Sequence, residues 1–261
     1  MSLFNRMMAS IGIGSAKVDT LLEKTVYYPG EDIQGIVRIQ GGSVEQRIEG
    51  ISLSIMSYYF KEVNDSKVKE LVELSRFRVT PPVVIRANET QEIAFQFRLP
   101  SQTPLTIGKT PTWIKTTADI RAAADPTDND HIEVRMSPEM GMVWQAIESL
   151  GFRLKEAETM YAPKLGGPQS PFVQEFEFVP YSGAYRGRLD ELELIFLHNR
   201  GSELNMLLQI DRKATGLFSR FAEALDMDET FVRLTLSDND FARGPQHVAS
   251  VLQATISRYA H

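Results

Sequence analysis

Four histidines, His131, His198, His247 and His261, are the only imidazoles in the chain, and there is no cysteine. The missing thiol excludes disulfides, thiolate metal sites, iron–sulfur clusters and a cysteine nucleophile. No two histidines stand in His-x-His or His-Glu-x-x-His spacing, the arrangements that turn two rings toward one zinc ion. The densest polar cluster is Asp125-Pro126-Thr127-Asp128-Asn129-Asp130-His131. Its carboxylates are the hard oxygen donors that calcium prefers, which makes Asp125, Asp128 and Asp130 the metal candidates of this sequence. The cluster lacks the glycine of the sharp turn and the closing glutamate of a helix–loop–helix calcium site. Asp and Pro also build solvated turns far more often than cation sites, so a turn is the expectation. His131 beside those aspartates has the makings of an oriented general base, but a base needs a nucleophile and an oxyanion site at bonding distance. No Gly-x-Ser-x-Gly elbow and no complete Gly-x-x-x-x-Gly-Lys-Ser/Thr phosphate loop occurs, and Gly12-Ile13-Gly14 is too short for a dinucleotide fingerprint. The expectation is a protein with no catalytic residues and no cofactor.

The bulk properties are those of an ordinary globular protein and by themselves name no function. The 261 residues suit one large domain or two small ones, and 43% hydrophobic with 24% charged residues excludes wholesale disorder. A net charge of −6 argues against non-specific binding to nucleic acid or to an anionic membrane surface. The acidity is uneven, with −1 over residues 1–137 and −5 over the rest. No apolar run approaches the roughly 18 residues of a membrane-spanning helix. The absence of cysteine suits a reducing cytoplasm, where the protein is expected.

Period-two patterns dominate. Ile93, Phe95, Phe97 and Leu99 alternate with mostly polar residues, and Ile51, Leu53 and Ile55 alternate with serines. Asp32 to Ile39 lies between Pro29-Gly30 and Gly41-Gly42, two breaks that bound a strand. Later, Phe172, Phe176 and Phe178 oppose Glu175 and Glu177, followed by strand patterns at Leu192–Phe196, Leu204–Ile210 and Val232–Leu236. These phenylalanines, like Trp113 on a strand and Trp144 on a helix, read as core rather than as stacking platforms. No regular alternation of strand and helix occurs, which excludes a doubly wound nucleotide-binding sheet. Helical stripes are few: Pro138 to Leu150, Gly216 to Leu225, and Pro245 to Tyr259 with Val248, Val251, Leu252, Thr255, Ile256 and Tyr259 on one face.

Leu3, Phe4, Met7, Met8 and Ile11 also fall at helical spacing, in a stretch too short and too rich in glycine for a signal peptide. A short helix docked on its own domain is the commoner use of such a stripe. As a partner contact it would offer Leu3, Phe4, Met7 and Met8.

The order of motifs then resembles a known family. Val26-Tyr27-Tyr28-Pro29-Gly30-Glu31-Asp32-Ile33-Gln34-Gly35 and Phe97-Arg98-Leu99-Pro100 look like the strand junctions of an arrestin-type fold. Gly12-Ile13-Gly14-Ser15-Ala16-Lys17-Val18-Asp19, Trp113-Ile114-Lys115-Thr116, Ala124-Asp125-Pro126-Thr127-Asp128 and Leu150-Gly151-Phe152 are more specific. Gln174-Glu175-Phe176-Glu177-Phe178-Val179-Pro180, Tyr185-Arg186-Gly187-Arg188-Leu189-Asp190-Glu191 and Ile210-Asp211-Arg212 continue the pattern. Together they resemble the bacterial sporulation-control protein family, SpoOM-like, over nearly the whole chain. The resemblance implies a mainly β fold of two tandem arrestin-like β-sandwiches with a few short helices and a C-terminal helix. It implies a cytoplasmic regulatory protein and supplies no catalytic residues.

The expected organisation is an N-terminal sandwich over residues 1–137, a C-terminal sandwich over 138–238 that opens with a helix, and an amphipathic helix over 239–261. The expected function is that of a non-enzymatic regulatory or scaffold protein that binds a cytoplasmic protein partner, through exposed strand edges or the cleft between sandwiches. A monomer or weak dimer is expected, with no nucleic acid. The alternative is a peripheral membrane or metal-responsive module, using the N-terminal stripe or the aspartate cluster.

Overall fold

The computed structural model describes residues 15–64, 66–121, 124–166, 171–197, 203–211 and 231–260. The N-terminal stripe, His198, His261 and the helical pattern Gly216–Leu225 lie outside them. The architecture is mainly β. By packing, the chain divides into two compact units: residues 1–57, 71–103 and 111–134 form the first, and 58–70, 104–110 and 135–261 the second.

The first unit begins with β1 (Lys17–Leu22), β2 (Val26–Tyr27), β3 (Asp32–Gln40) and β4 (Gln46–Val63). It continues with β5 (Ser66–Thr80), β6 (Val83–Ile85), β7 (Thr90–Arg98), β8 (Thr112–Ile120) and β9 (Thr127–Val134). At about 3.3 Å per residue, the 18 residues of β4 outrun one small core, and its end from Tyr58, with the start of β5 up to Glu70, belongs to the second unit. One sheet is β1-β3-β7, antiparallel, with Leu21 opposite Ile36 and Ile36 opposite Ala94. The other runs β4-β8-β9-β2, with β5 and β6 also paired to β4. Ile33, Val37 and Ile39 of the first sheet and Ile51, Leu53, Ile55 and Ile114 of the second are wholly buried. A bulge between Ile48 and Gly50 shifts the inward positions of β4 from even to odd residues.

The aspartate cluster departs from its expected solvated turn, because strand β9 begins within it at Thr127. Asp128 lies directly opposite Thr116 and Asp130 opposite Ile114, so both carboxylates share the inward face with buried Ile132 and Val134. The apolar alternation that marks a strand starts only at Ile132, which hid the first half of β9.

The second unit contains α1 (Pro138–Ser149), β10 (Phe152–Tyr161), α2 (Pro163–Gly166), β11 (Phe172–Pro180), a 3₁₀ turn at Gly183–Tyr185, and β12 (Glu191–Phe196). β13 (Leu204–Asp211), β14 (Phe231–Leu236), α3 (Asp238–Ala242) and α4 (Pro245–Tyr259) follow. The sheet β10-β11-β12-β13-β14 is antiparallel throughout. Ser137 caps α1 by accepting the Met140 N–H at 3.3 Å, and Pro138 occupies the first turn, where its missing donor costs nothing. Gly151 ends the helix at φ +94°, and a Cβ there would lie 2.3 Å from the Ser182 carbonyl oxygen, so only glycine fits. Trp144 of α1 meets Phe176 and Phe178 edge-on at 5.5 and 4.8 Å.

The terminal helix buries the centre of its apolar stripe within this unit, while Tyr259 at its end is exposed. Val248, Leu252 and Ile256 are fully buried, and α4 packs against α1 and α3. The Tyr185-to-Glu191 motif holds it in place: the Tyr185 hydroxyl lies 2.9 Å from Ser257 Oγ and donates to the Gln253 carbonyl at 3.3 Å, and Arg188 donates to the Ala260 carbonyl at 3.4 Å. Tyr185→Phe keeps the ring that packs on Phe152 at 5.3 Å and removes only those bonds. It is expected to cost about 1 kcal/mol in a urea melt, the worth of an ordinary buried hydrogen bond.

Candidate functional site

The residues singled out for metal or base chemistry do not converge. Asp125 Oδ1 accepts the Ile120 N–H at 2.9 Å and fixes the turn between β8 and β9. Asp128 Oδ2 accepts the Thr20 N–H at 2.8 Å, and its Oδ1 accepts the Asn129 N–H at 2.9 Å. Burial, with the charges of Asp128 and Asp19 beside it, pushes the Asp130 carboxyl up to about 7. His131 points to the opposite face of β9, tilted against Trp113 with ring centres 5.8 Å apart. Among the described residues no group of three or more carboxylates and imidazoles is arranged to hold a metal ion. Gly108-Lys109-Thr110 repeats the last three residues of a phosphate loop, but it leads into strand β8 rather than a helix, so no helix N-terminus meets a phosphate there.

The sheet β1-β3-β7 offers a different kind of site. The Gly41 N–H donates to the Glu89 carbonyl at 2.7 Å and the Leu99 N–H to the Glu31 carbonyl at 2.8 Å. With the register between them, this assigns the odd residues of β7 to bonds with β3. Glu92, Ala94 and Gln96 therefore turn their backbone N–H and C=O groups outward, all three are exposed, and among the described residues no strand pairs with that edge. Across the sheet from β1 to this edge runs an open depression of about 570 Å³, lined by Leu21, Gln34, Ile36, Ala94 and Gln96 among others.

The second unit carries a feature that sequence reasoning missed. Each of β10, β11 and β12 contains a Glu-x-Glu pair, and the strand register sets them side by side: Glu156 opposite Glu177, Glu177 opposite Glu193, and Glu158 opposite Glu175. Gln209 of β13 extends the first row opposite Glu193 and is almost wholly buried, and among the described residues nothing hydrogen-bonds its amide. Like charges directly opposite one another oppose pairing. Three lysines offset part of that repulsion. Lys67 meets Glu158 at 2.6 Å, Lys109 meets Glu156 at 3.1 Å, and Lys155, in the bulge of β10, bonds Glu177 and lies 3.9 Å from Glu191. The Glu177 carboxylate holds the Lys155 ammonium above its ordinary value. Burial, with the charge of Glu177 next, pushes the Glu175 carboxyl up to about 8. The signal was visible as three Glu-x-Glu repeats, but each alone reads as the solvated face of a strand.

Among the described residues no helix is long and apolar enough to cross a membrane. The family model described as SpoOM protein matches residues 4–214. The chain is 41% identical over 260 residues to the sporulation-control protein spo0M of Bacillus subtilis (strain 168), covering all of both chains. The crystal structure of Spo0M, a sporulation control protein from Bacillus subtilis, superposes with a TM-score of 0.85 at 38% identity, over 95% of this chain and 100% of that one. On the family model and the full-length relative together, the chain belongs to the SpoOM protein family.

Proposed function

We propose that this protein is a cytoplasmic regulator that catalyses no reaction and acts by binding another protein, with the outer edge of β7 as the contact. The observation that carries this reading is the run of outward backbone groups at Glu92, Ala94 and Gln96, a ready template for an added strand. The depression reaches this edge at Ala94 and Gln96, where side chains of an added strand can lean over it. The Bacillus subtilis relative is a sporulation-control protein, and a regulatory role in a developmental or stress programme is the part of that description we carry to this chain.

Ala94→Pro tests the contact. It removes one outward donor and no bond to β3, so the melting temperature should stay within about 3 °C of the parent. Affinity capture from the native lysate is expected to recover a small reproducible set of proteins with the parent chain and to lose it with the variant. An empty result with the parent chain overturns the binding reading. An unchanged set with the variant overturns the choice of edge.

A further inference from the structure

The two edges of the sheet β1-β3-β7 are treated differently. The Glu23 N–H donates to the Gln34 carbonyl at 3.1 Å, which assigns the odd residues of β1 to bonds with β3 and turns the backbone groups of Val18, Thr20 and Leu22 toward the free edge. The outward N–H of Thr20 is taken by Asp128 Oδ2 at 2.8 Å, and the Thr20 hydroxyl lies 2.5 Å from that of Thr116, with both threonines buried. Asp128 and Thr116 belong to the opposite sheet, so these bonds stitch β1 across the side of the sandwich.

Asp130 stands beside the stitch. It shares the inward face of β9 with Asp128, and one of its carboxylate oxygens, Oδ2, is buried with no hydrogen bond among the described residues. The charged groups around the pair are few. Asp19 of β1 adds a third negative charge, and Arg38 of β3 lies 4.0 Å from Asp19 but is drawn to Glu92 at 2.9 Å. The residues opposite Asp128 and Asp130 on β8, Thr116 and Ile114, carry no charge, and Lys115 and His131 belong to the other face.

We propose that Asp128 and Asp130 form a proton-operated fastener for β1. With one proton on the pair, the Asp130 carboxyl donates toward Asp128, and Asp128 keeps its grip on Thr20. Loss of that proton to water leaves two adjacent carboxylates, and their repulsion draws Asp128 away from the strand. The transition lies near neutral pH, because burial and the neighbouring charges hold the Asp130 proton far above the ordinary carboxylate range. The folded state therefore binds this proton more tightly than the unfolded chain, and the attachment of β1 weakens as pH rises through about 7. The device concerns the β1 edge and does not depend on the β7 contact.

Amide hydrogen exchange on the full chain, corrected for intrinsic rates, reads the fastener directly. Between about pH 6 and about pH 8.5, protection of the Val18–Leu22 amides is expected to fall about tenfold in the parent chain, while the Val37 and Ile39 amides of β3, which bond to β7, change little. Asp130→Asn, which keeps the shape and a donor, is expected to hold β1 equally at both values. Asp128→Ala is expected to loosen β1 at both. PH-independent protection in the parent, an equal fall in Asp130→Asn, or unchanged protection in Asp128→Ala overturns the proposal.

Discussion

Ending the chain after Asp240 is expected to lower the melting temperature by about 10 °C or more, without changing the mass in solution. The deletion removes Val248, Leu252 and Ile256, all wholly buried, and strips the covering helix from α1. It also leaves the buried Tyr185 hydroxyl without Ser257 and the Gln253 carbonyl. Leu252→Ala alone should cost about 2–5 kcal/mol, the range for truncating a buried leucine whose surroundings collapse only partly. The mass should hold, because α4 spends its apolar stripe inside its own unit. Calorimetry with light scattering checks both statements. An unchanged melting temperature would mean that α4 adds little to the second unit, and a halved mass would mean that it joins two copies.

Glu175→Gln is expected to stabilise the protein at alkaline pH and to leave it unchanged in acid. The Glu175 carboxyl sits at about 8 in the folded chain, far above its ordinary range, so the folded state is the better proton binder. Its contribution to stability falls as pH rises from the ordinary carboxylate range through about 8. Glutamine carries no proton to lose. The variant should match the parent near pH ~4 and exceed it near pH ~8.5 by an amount on the order of a few kcal/mol. Urea melts at the two values give the difference directly. Equal stabilities near pH ~8.5 would show that water, rather than the sheet, surrounds this carboxylate.

Both expectations rest on features that were unequally legible. The α4 stripe was written plainly in Pro245 to Tyr259, since a period of 3.6 over four turns has no reading other than a helix with one buried face. The strands around Ile51–Ile55, Ile93–Leu99 and Leu192–Phe196 were equally plain, because alternation places every second side chain on one side of a pleated strand. The expected single helix over 239–261 is instead two, α3 and α4, parted at Gly244; α3, capped reciprocally by Ser237 and Asp240, was too short to show periodicity.

The sites were not legible in the same way, because each is made by pairing between distant segments. Asp128 looked like a turn residue, and only the meeting of β9 with β1 gives it the Thr20 amide, 108 positions away. Glu175 looked like the wet side of a strand and β10 with Glu156 showed no clear pattern, until the register of β10, β11 and β12 stacked the glutamate pairs on one face. The open edge of β7 likewise follows from which strand lies beside it and which does not. Local sequence determined the strongly periodic strands and helices and the family pattern, since those depend on neighbours a few residues apart. Register, burial of charge and free edges were decided by the tertiary structure, since they depend on the segment that lies across the sheet.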